Sequence, residues 1–115
     1  MTFDVEIVLR ERNYAVTEHL HHAIDPHAWT DSDVESVLKQ ILLAIDRAKN
    51  PDTADRYVAL RGFSWIVEPT DEGVVIAIEI PMGAAVAGPF DIPQPRLDGM
   101  ITRVLASANP RTTVH

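Results

Sequence analysis

Four of the five histidines fall between residues 19 and 27, beside two carboxylates, and these side chains can bind metal ions or transfer protons. The group consists of Glu18, His19, His21, His22, Asp25 and His27. On a strand, His19 and His21 would share one face and exclude Glu18, whereas on a helix Glu18 and His22 would stand one turn apart. The two structures select different ligands. We therefore expect a histidine-rich surface turn without a bound metal, and a metal site within residues 18–27 stays an alternative.

A second segment of chemical interest is Gly83–Pro89, in which two glycines bracket Ala-Ala-Val-Ala. Phosphate-binding loops place Lys and Ser or Thr beside their glycines, and this segment has none of them. Its small side chains could line a ligand, pack under a helix or continue a strand at a sheet edge. The apolar composition favours a packing role, and a ligand site between the sheet and an 82–93 loop is the alternative.

The remaining polar residues indicate no catalytic site, so the catalytic residues are unknown. Asp71 and Glu72 fall in a predicted turn, where an acidic side chain serves local hydrogen bonding. No serine has the context of an activated nucleophile. The absence of cysteine excludes disulfides and thiolate chemistry, and no cofactor is expected.

Size and charge limit the possible partners. The 115 residues, 12.8 kDa in mass, predict a single domain over residues 1–109 and a frayed tail over residues 110–115. A net charge of −7 repels phosphate backbones and anionic lipids, so neither nucleic acid nor a membrane is an expected partner. The N-terminus lacks a basic leader, which favours a soluble, cytoplasmic protein.

The N-terminal part of the chain predicts a hairpin. Phe3, Val5, Ile7 and Leu9 alternate with outward Asp4, Glu6, Val8 and Arg10, a period of two that is typical of a half-buried strand. Residues 14–22 fit either a second strand or a helix. We favour the strand, because it would pair with the first.

Apolar side chains at helical spacing predict two helices. The first begins near Thr30, whose N-cap position would place Trp29 and Val34 in a hydrophobic staple, and ends at Asn50-Pro51. The second begins near Pro95 and ends at Asn109-Pro110. Its predicted buried stripe is Leu97, Met100, Ile101, Val104, Leu105 and Ala108.

A second hairpin is predicted between Tyr57 and Ile80, around a turn over residues 69–73. The first strand alternates irregularly, because Val58 and Leu60 have the opposite parity to Phe63, Trp65 and Val67. A bulge at Gly62 would bring all five side chains to one face. The second strand, from Gly73, turns Val74, Ile76, Ile78 and Ile80 inward.

These elements predict an α+β fold of order ββαββα, a two-layer sandwich in which two helices cover one face of a four-stranded, mainly antiparallel sheet. The uncovered face would carry four apolar side chains among charged ones: Val8, Ile66, Val75 and Ala77. Such a patch is typical of a contact surface. We therefore expect a non-enzymatic protein-interaction or assembly module that forms a homodimer, with a small-molecule enzyme or sensor as the alternative.

Overall fold

The computed structural model describes residues 1–52 and 58–109. Its elements in chain order are β1 (Thr2–Leu9), β2 (Ala15–His21), α1 (Asp31–Lys49), β3 (Ser64–Thr70), β4 (Gly73–Ile80), β5 (Gly83–Phe90) and α2 (Gln94–Ala108), with one short 3-10 turn at Pro26–Ala28. The five strands form one antiparallel sheet of order β2-β1-β5-β4-β3. The α+β class and the two helices are confirmed.

The predicted strand count was wrong, because the element order is ββαβββα. The segment expected as an 82–93 loop forms β5, which lies at the centre of the sheet and not at its edge. It pairs with β1 on one side and with β4 on the other. Small side chains suit this position, since Ala85 and Ala87 pack into the core while Ala84 and Val86 point to the other face.

Close backbone contact explains why β5 begins with glycine. A Cβ atom at Gly83 would lie 2.3 Å from the carbonyl oxygen of Val8 on β1, far inside the van der Waals limit. Gly88, with φ of +126°, lies where the register between β4 and β5 shifts beside Val75. Both glycines therefore serve the strand pairing, which removes the basis for a phosphate loop.

The irregular segment before β3 differs from its prediction in one respect. Residues 58–63 precede the ladder, so Gly62, at φ of +81°, redirects the chain ahead of the strand and is not a bulge within it. The side chains behave as expected: Leu60 and Val67 are buried, and Val58, Phe63 and Trp65 pack partly buried against the core. Tyr57 lies outside the described residues, as does the tail from residue 110.

The N-terminal hairpin and both helices form as predicted. Residues 15–21 are the strand β2, which pairs with β1. Thr30 caps α1 in a reciprocal capping box with Asp33, and Trp29 is buried before it. In the predicted stripe of α2, Leu105 is half-buried and Ala108 is exposed, contrary to the prediction, and the other four residues are buried.

Both helices pack on one face of the sheet. The inward side chains of the strands form a single apolar core with the buried stripes of α1 and α2. Arg103 joins the helices through two 2.9 Å hydrogen bonds to the carboxylate of Asp31. Arg96 at the start of α2 donates to the carbonyl oxygens of His27 and Trp29, which ties α2 to the chain before α1. The opposite face of the sheet stays uncovered by these elements.

Candidate functional site

One side of the sheet packs against no other element in the described part of the chain. We call it the outer face, and it is formed by Asp4, Glu6 and Val8 of β1, Thr17, His19 and His21 of β2, Ser64, Ile66 and Glu68 of β3, Val75, Ala77 and Glu79 of β4, and Ala84 and Val86 of β5. Strand alternation produces it, since each of these side chains follows or precedes an inward one.

The four residues predicted as a patch all point to the outer face. The side chains of Val8 and Ile66 are 48% and 53% exposed, and those of Val75 and Ala77 are half-buried. Ile66 lies beside Ala77 in the ladder between β3 and β4. Val8 is two strands away from Ala77, so these four residues alone would form two separate groups.

Val86 is the residue that sequence reasoning missed, and it joins the two groups. It is 43% exposed at the centre of the sheet, where it pairs with Ala77 on one side and Glu6 on the other. Ala84, its neighbour on the same face, pairs with Val8. Val8, Ile66 and Val86 are three of the six large apolar side chains that are exposed in the described residues. The apolar patch is therefore continuous from β1 to β3.

A shallow depression of about 370 Å³ lies within this patch. Its outward-facing lining includes Ile66, Ala77, Ala84 and Val86, with Glu79 beside them. The depression exists because Ala77 and Ala84 are small, whereas Ile66 and Val86 rise on either side. A surface with such relief can receive a protruding side chain of another molecule.

Charged side chains surround the apolar patch unevenly. On β1, Asp4 and Glu6 are acidic, and Nδ1 of His19 on β2 lies 2.5 Å from Oδ1 of Asp4. On the opposite side, Glu68 and Glu79 are acidic. The edge strand β2 thus carries His19 and His21, and the edge strand β3 carries Glu68.

The histidine cluster divides between the two sides of the sheet. His19 and His21 point outward, as the strand interpretation predicts, whereas Glu18 points inward and accepts a 2.6 Å hydrogen bond from Arg47 of α1. Nε2 of His22 lies 2.9 Å from Asp33 at the start of α1. Within residues 1–52 and 58–109, no group of three potential ligands converges on one point.

Two carboxylates near the start of α1 have lowered pKa values, and both have structural causes. The backbone N–H of Thr30, followed by His22, lowers the pKa of Asp33 by donating hydrogen bonds to its charged form. The Arg103 guanidinium lowers the pKa of Asp31 in the same way. Both groups stabilise the helix start, and a lowered pKa is unsuited to a general acid or base at neutral pH.

The interior offers no polar site to a small molecule. Among the described residues, no polar or charged side chain is buried, and none leaves a buried polar atom without a partner. The alternative site between the sheet and an 82–93 loop also loses its basis, because residues 83–90 are a central strand. A catalytic pocket needs converging titratable groups that are shielded from water.

Comparison with known proteins identifies no relatives: no family model matches the chain, and neither a curated protein nor a solved structure matches it. In the described part of the chain, neither helix is long and apolar enough to cross a membrane.

Proposed function

We propose that this protein is a non-enzymatic interaction module that forms a homodimer through the outer face. The observation that supports the proposal most directly is the continuous apolar patch from Val8 through Val86 to Ile66. An antiparallel sheet with one face in water normally places polar side chains there. Large apolar side chains that neighbouring strands place on one exposed face are typical of a surface that another protein covers.

The size of the face is sufficient for a specific dimer. Five strands about 4.8 Å apart, each about seven residues long at about 3.4 Å per residue, present a surface of about 550 Å². Two copies would bury about 1,100 Å² together, which is at the lower end of the range of specific interfaces. An interface of this size is compatible with a reversible dimer, whose fraction should fall on dilution.

Net charge and apolar contact act in opposite directions in this assembly. Each copy carries a charge of −7, which disfavours association at long range. Burial of apolar surface at about 25 cal/mol per Å² favours it, and this contribution is concentrated at Ile66, Val86 and Val8. A carboxylate introduced in the patch adds to the repulsion and removes the apolar contact, so a single substitution is enough to separate the copies.

Sedimentation velocity over a range of concentrations tests the proposal. The wild-type chain is expected to be a dimer at tens of micromolar, and Ile66→Glu to be a monomer at the same concentration. Val75→Glu is expected to weaken the dimer in the same way. Ile24→Glu is the matched control, because Ile24 is 41% exposed but lies outside the sheet, and it should leave the dimer intact.

Two results would contradict the proposal. A wild-type chain that sediments as a monomer at high micromolar concentration would show that the outer face does not drive self-association. A dimer that persists in Ile66→Glu would place the interface elsewhere on the molecule. Circular dichroism of each variant verifies that the fold is intact, which is expected because Ile66 and Ile24 are exposed and Val75 is half-buried on the outer face.

A further inference from the structure

We infer that the two copies of the proposed dimer are related by a two-fold axis that runs along β5. The edge strand β2 of each copy, with His19, then faces the edge strand β3 of the other copy, with Glu68. This inference rests on the proposed homodimer and specifies its geometry. It follows from the register of the outward residues and from their charges.

The strand register arranges the outward residues in three rows that cross all five strands, and His21 of β2 lies beside Thr2 of β1 beyond the third row. The first row is Ala15, Val8, Ala84, Glu79 and Ser64, the middle row is Thr17, Glu6, Val86, Ala77 and Ile66, and the third row is His19, Asp4, Gly88, Val75 and Glu68. In the third row, Gly88 and Val75 meet at the register shift between β4 and β5. Every row has its central member on β5.

Two arrangements are possible when such a face packs on its own copy with the strands aligned. Aligned sheets lie about 10 Å apart with their strands within about 30° of one another. The two-fold axis then lies between the sheets, either roughly along the strands or roughly across them. An axis along β5 exchanges β2 with β3, and an axis along the middle row places every strand over its own copy.

Charge favours the axis along β5. An axis across the strands would place Glu6 directly over Glu6 of the second copy, and like charges that face each other in an interface oppose association. The axis along β5 places Glu6 over Ala77 instead. It also brings His19 over Glu68 of the second copy. Asp4 already engages Nδ1 of His19, so the contact with Glu68 is made through Nε2, which donates when both ring nitrogens carry protons.

The shape of the patch does not separate the two axes. Val86 lies on β5 in the middle row, so either axis stacks it on its own copy at the centre of the interface. The axis along β5 brings β1 of the second copy over β4, where Val8 lies over Glu79 and Glu6 lies over Ala77. The choice between the axes therefore follows from charge.

Single cysteines distinguish the two axes, because the chain contains no cysteine of its own. For the axis along β5, Ala84 lies about 10 Å from its own copy and Ile66 more than about 20 Å, by strand and sheet spacings. For an axis across the strands, Ile66 is closer to its own copy than Ala84 is. With a short bis-maleimide, Ala84→Cys should form a covalent dimer and Ile66→Cys should not. Val86→Cys should react for either axis and serves as the positive control.

Charge substitutions at His19 and Glu68 test whether these residues face each other between the two copies. His19→Glu places two carboxylates opposite each other at both ends of the interface, and dimer dissociation should increase by at least about tenfold. Adding Glu68→Lys to the same chain should restore the wild-type dissociation constant. Within one copy these residues lie on opposite edge strands, about 19 Å apart, so a restored dimer reports contact between copies.

The failures of the two proposals are distinguishable. A wild-type monomer, or a dimer insensitive to Ile66→Glu, overturns the proposed function and the axis together. Another outcome is that Ile66→Glu separates the wild-type dimer, but Ile66→Cys forms a covalent dimer and Ala84→Cys does not. That outcome supports the outer face as the interface and overturns the axis along β5. Absence of rescue by Glu68→Lys also overturns the His19 contact.

Discussion

Nε2 of His22 lies 2.9 Å from Oδ1 of Asp33, and this pair joins the end of the N-terminal hairpin to the first turn of α1. A carboxylate can only accept, so Nε2 carries the proton. The other oxygen of Asp33 accepts from the backbone N–H of Thr30 at 2.9 Å. One carboxylate thus satisfies the helix cap and fixes the hairpin against the helix.

The lowered pKa of Asp33 makes stability depend on pH in the acid range. Its folded pKa is below the unfolded value of 3.8, so the carboxylate contributes stability above that value and loses it as the pH falls through the folded pKa. We expect Asp33→Asn to cost about 1 kcal/mol at pH 7, as for loss of a helix cap, and to flatten the pH dependence below pH 4.

Urea unfolding of Asp33→Asn at pH 7 and at pH 3 measures this contribution. The control is Asp25→Asn, because Asp25 precedes the 3-10 turn without a side-chain capping bond and should change stability little. Equal losses for Asp33→Asn at both pH values would contradict the assignment of the pH dependence to this carboxylate.

Glycine at position 83 is required by close contact between β5 and β1. In Gly83→Ala the new Cβ would meet the carbonyl oxygen of Val8 at 2.3 Å, and the backbone must shift to relieve this overlap. We expect a loss of about 2 to 3 kcal/mol, the upper range for overpacking. The midpoint of thermal or urea unfolding measures it.

The same substitution in a helix should have the opposite effect. At Gly99 in α2, a Cβ would have only a side-chain atom of Arg103 near it, 3.5 Å away, which is ordinary contact. Gly99→Ala should therefore stabilise the protein by about 0.5 to 1 kcal/mol, the difference in helix propensity. If both variants shift stability in the same direction, the contact with Val8 does not determine the choice of glycine.

We expect the protein to require no zinc. His19 and His21 share the outer face, but Glu18 is on the other side, bonded to Arg47, and His22 is bonded to Asp33. The thermal unfolding midpoint should be the same with and without a strong chelator. Calorimetry that detects one tightly bound zinc per chain, lost in His19→Ala with His21→Ala, would disprove this prediction.

Amphipathic elements could be predicted from the sequence because their burial is one-sided. In β1, Phe3 and Val5 alternate with acidic residues, and in α1 a capped apolar stripe recurs at helical spacing. Each pattern therefore indicates both the type of element and the face that packs on the core.

The central strand could not be predicted in the same way. Along β5, the inward Ala85 and Ala87 and the outward Ala84 and Val86 are all apolar, so alternation gives no signal. A sequence indication was available in its length, because the eight residues between two turns match the eight of β4. The missed strand also hid the continuity of the patch, since Val86 is the residue that connects Val8 to Ala77.

The central position of β5 has a consequence for how the chain acquires its structure during synthesis. β1 and β2 are neighbours in sequence and can pair once both have left the ribosome, but the other edge of β1 has to wait for β5, because Leu9 pairs with Gly83. Contacts this distant in sequence close slowly. Until then, the nascent hairpin exposes an unpaired edge and an apolar face, which leaves it open to pairing with neighbouring chains.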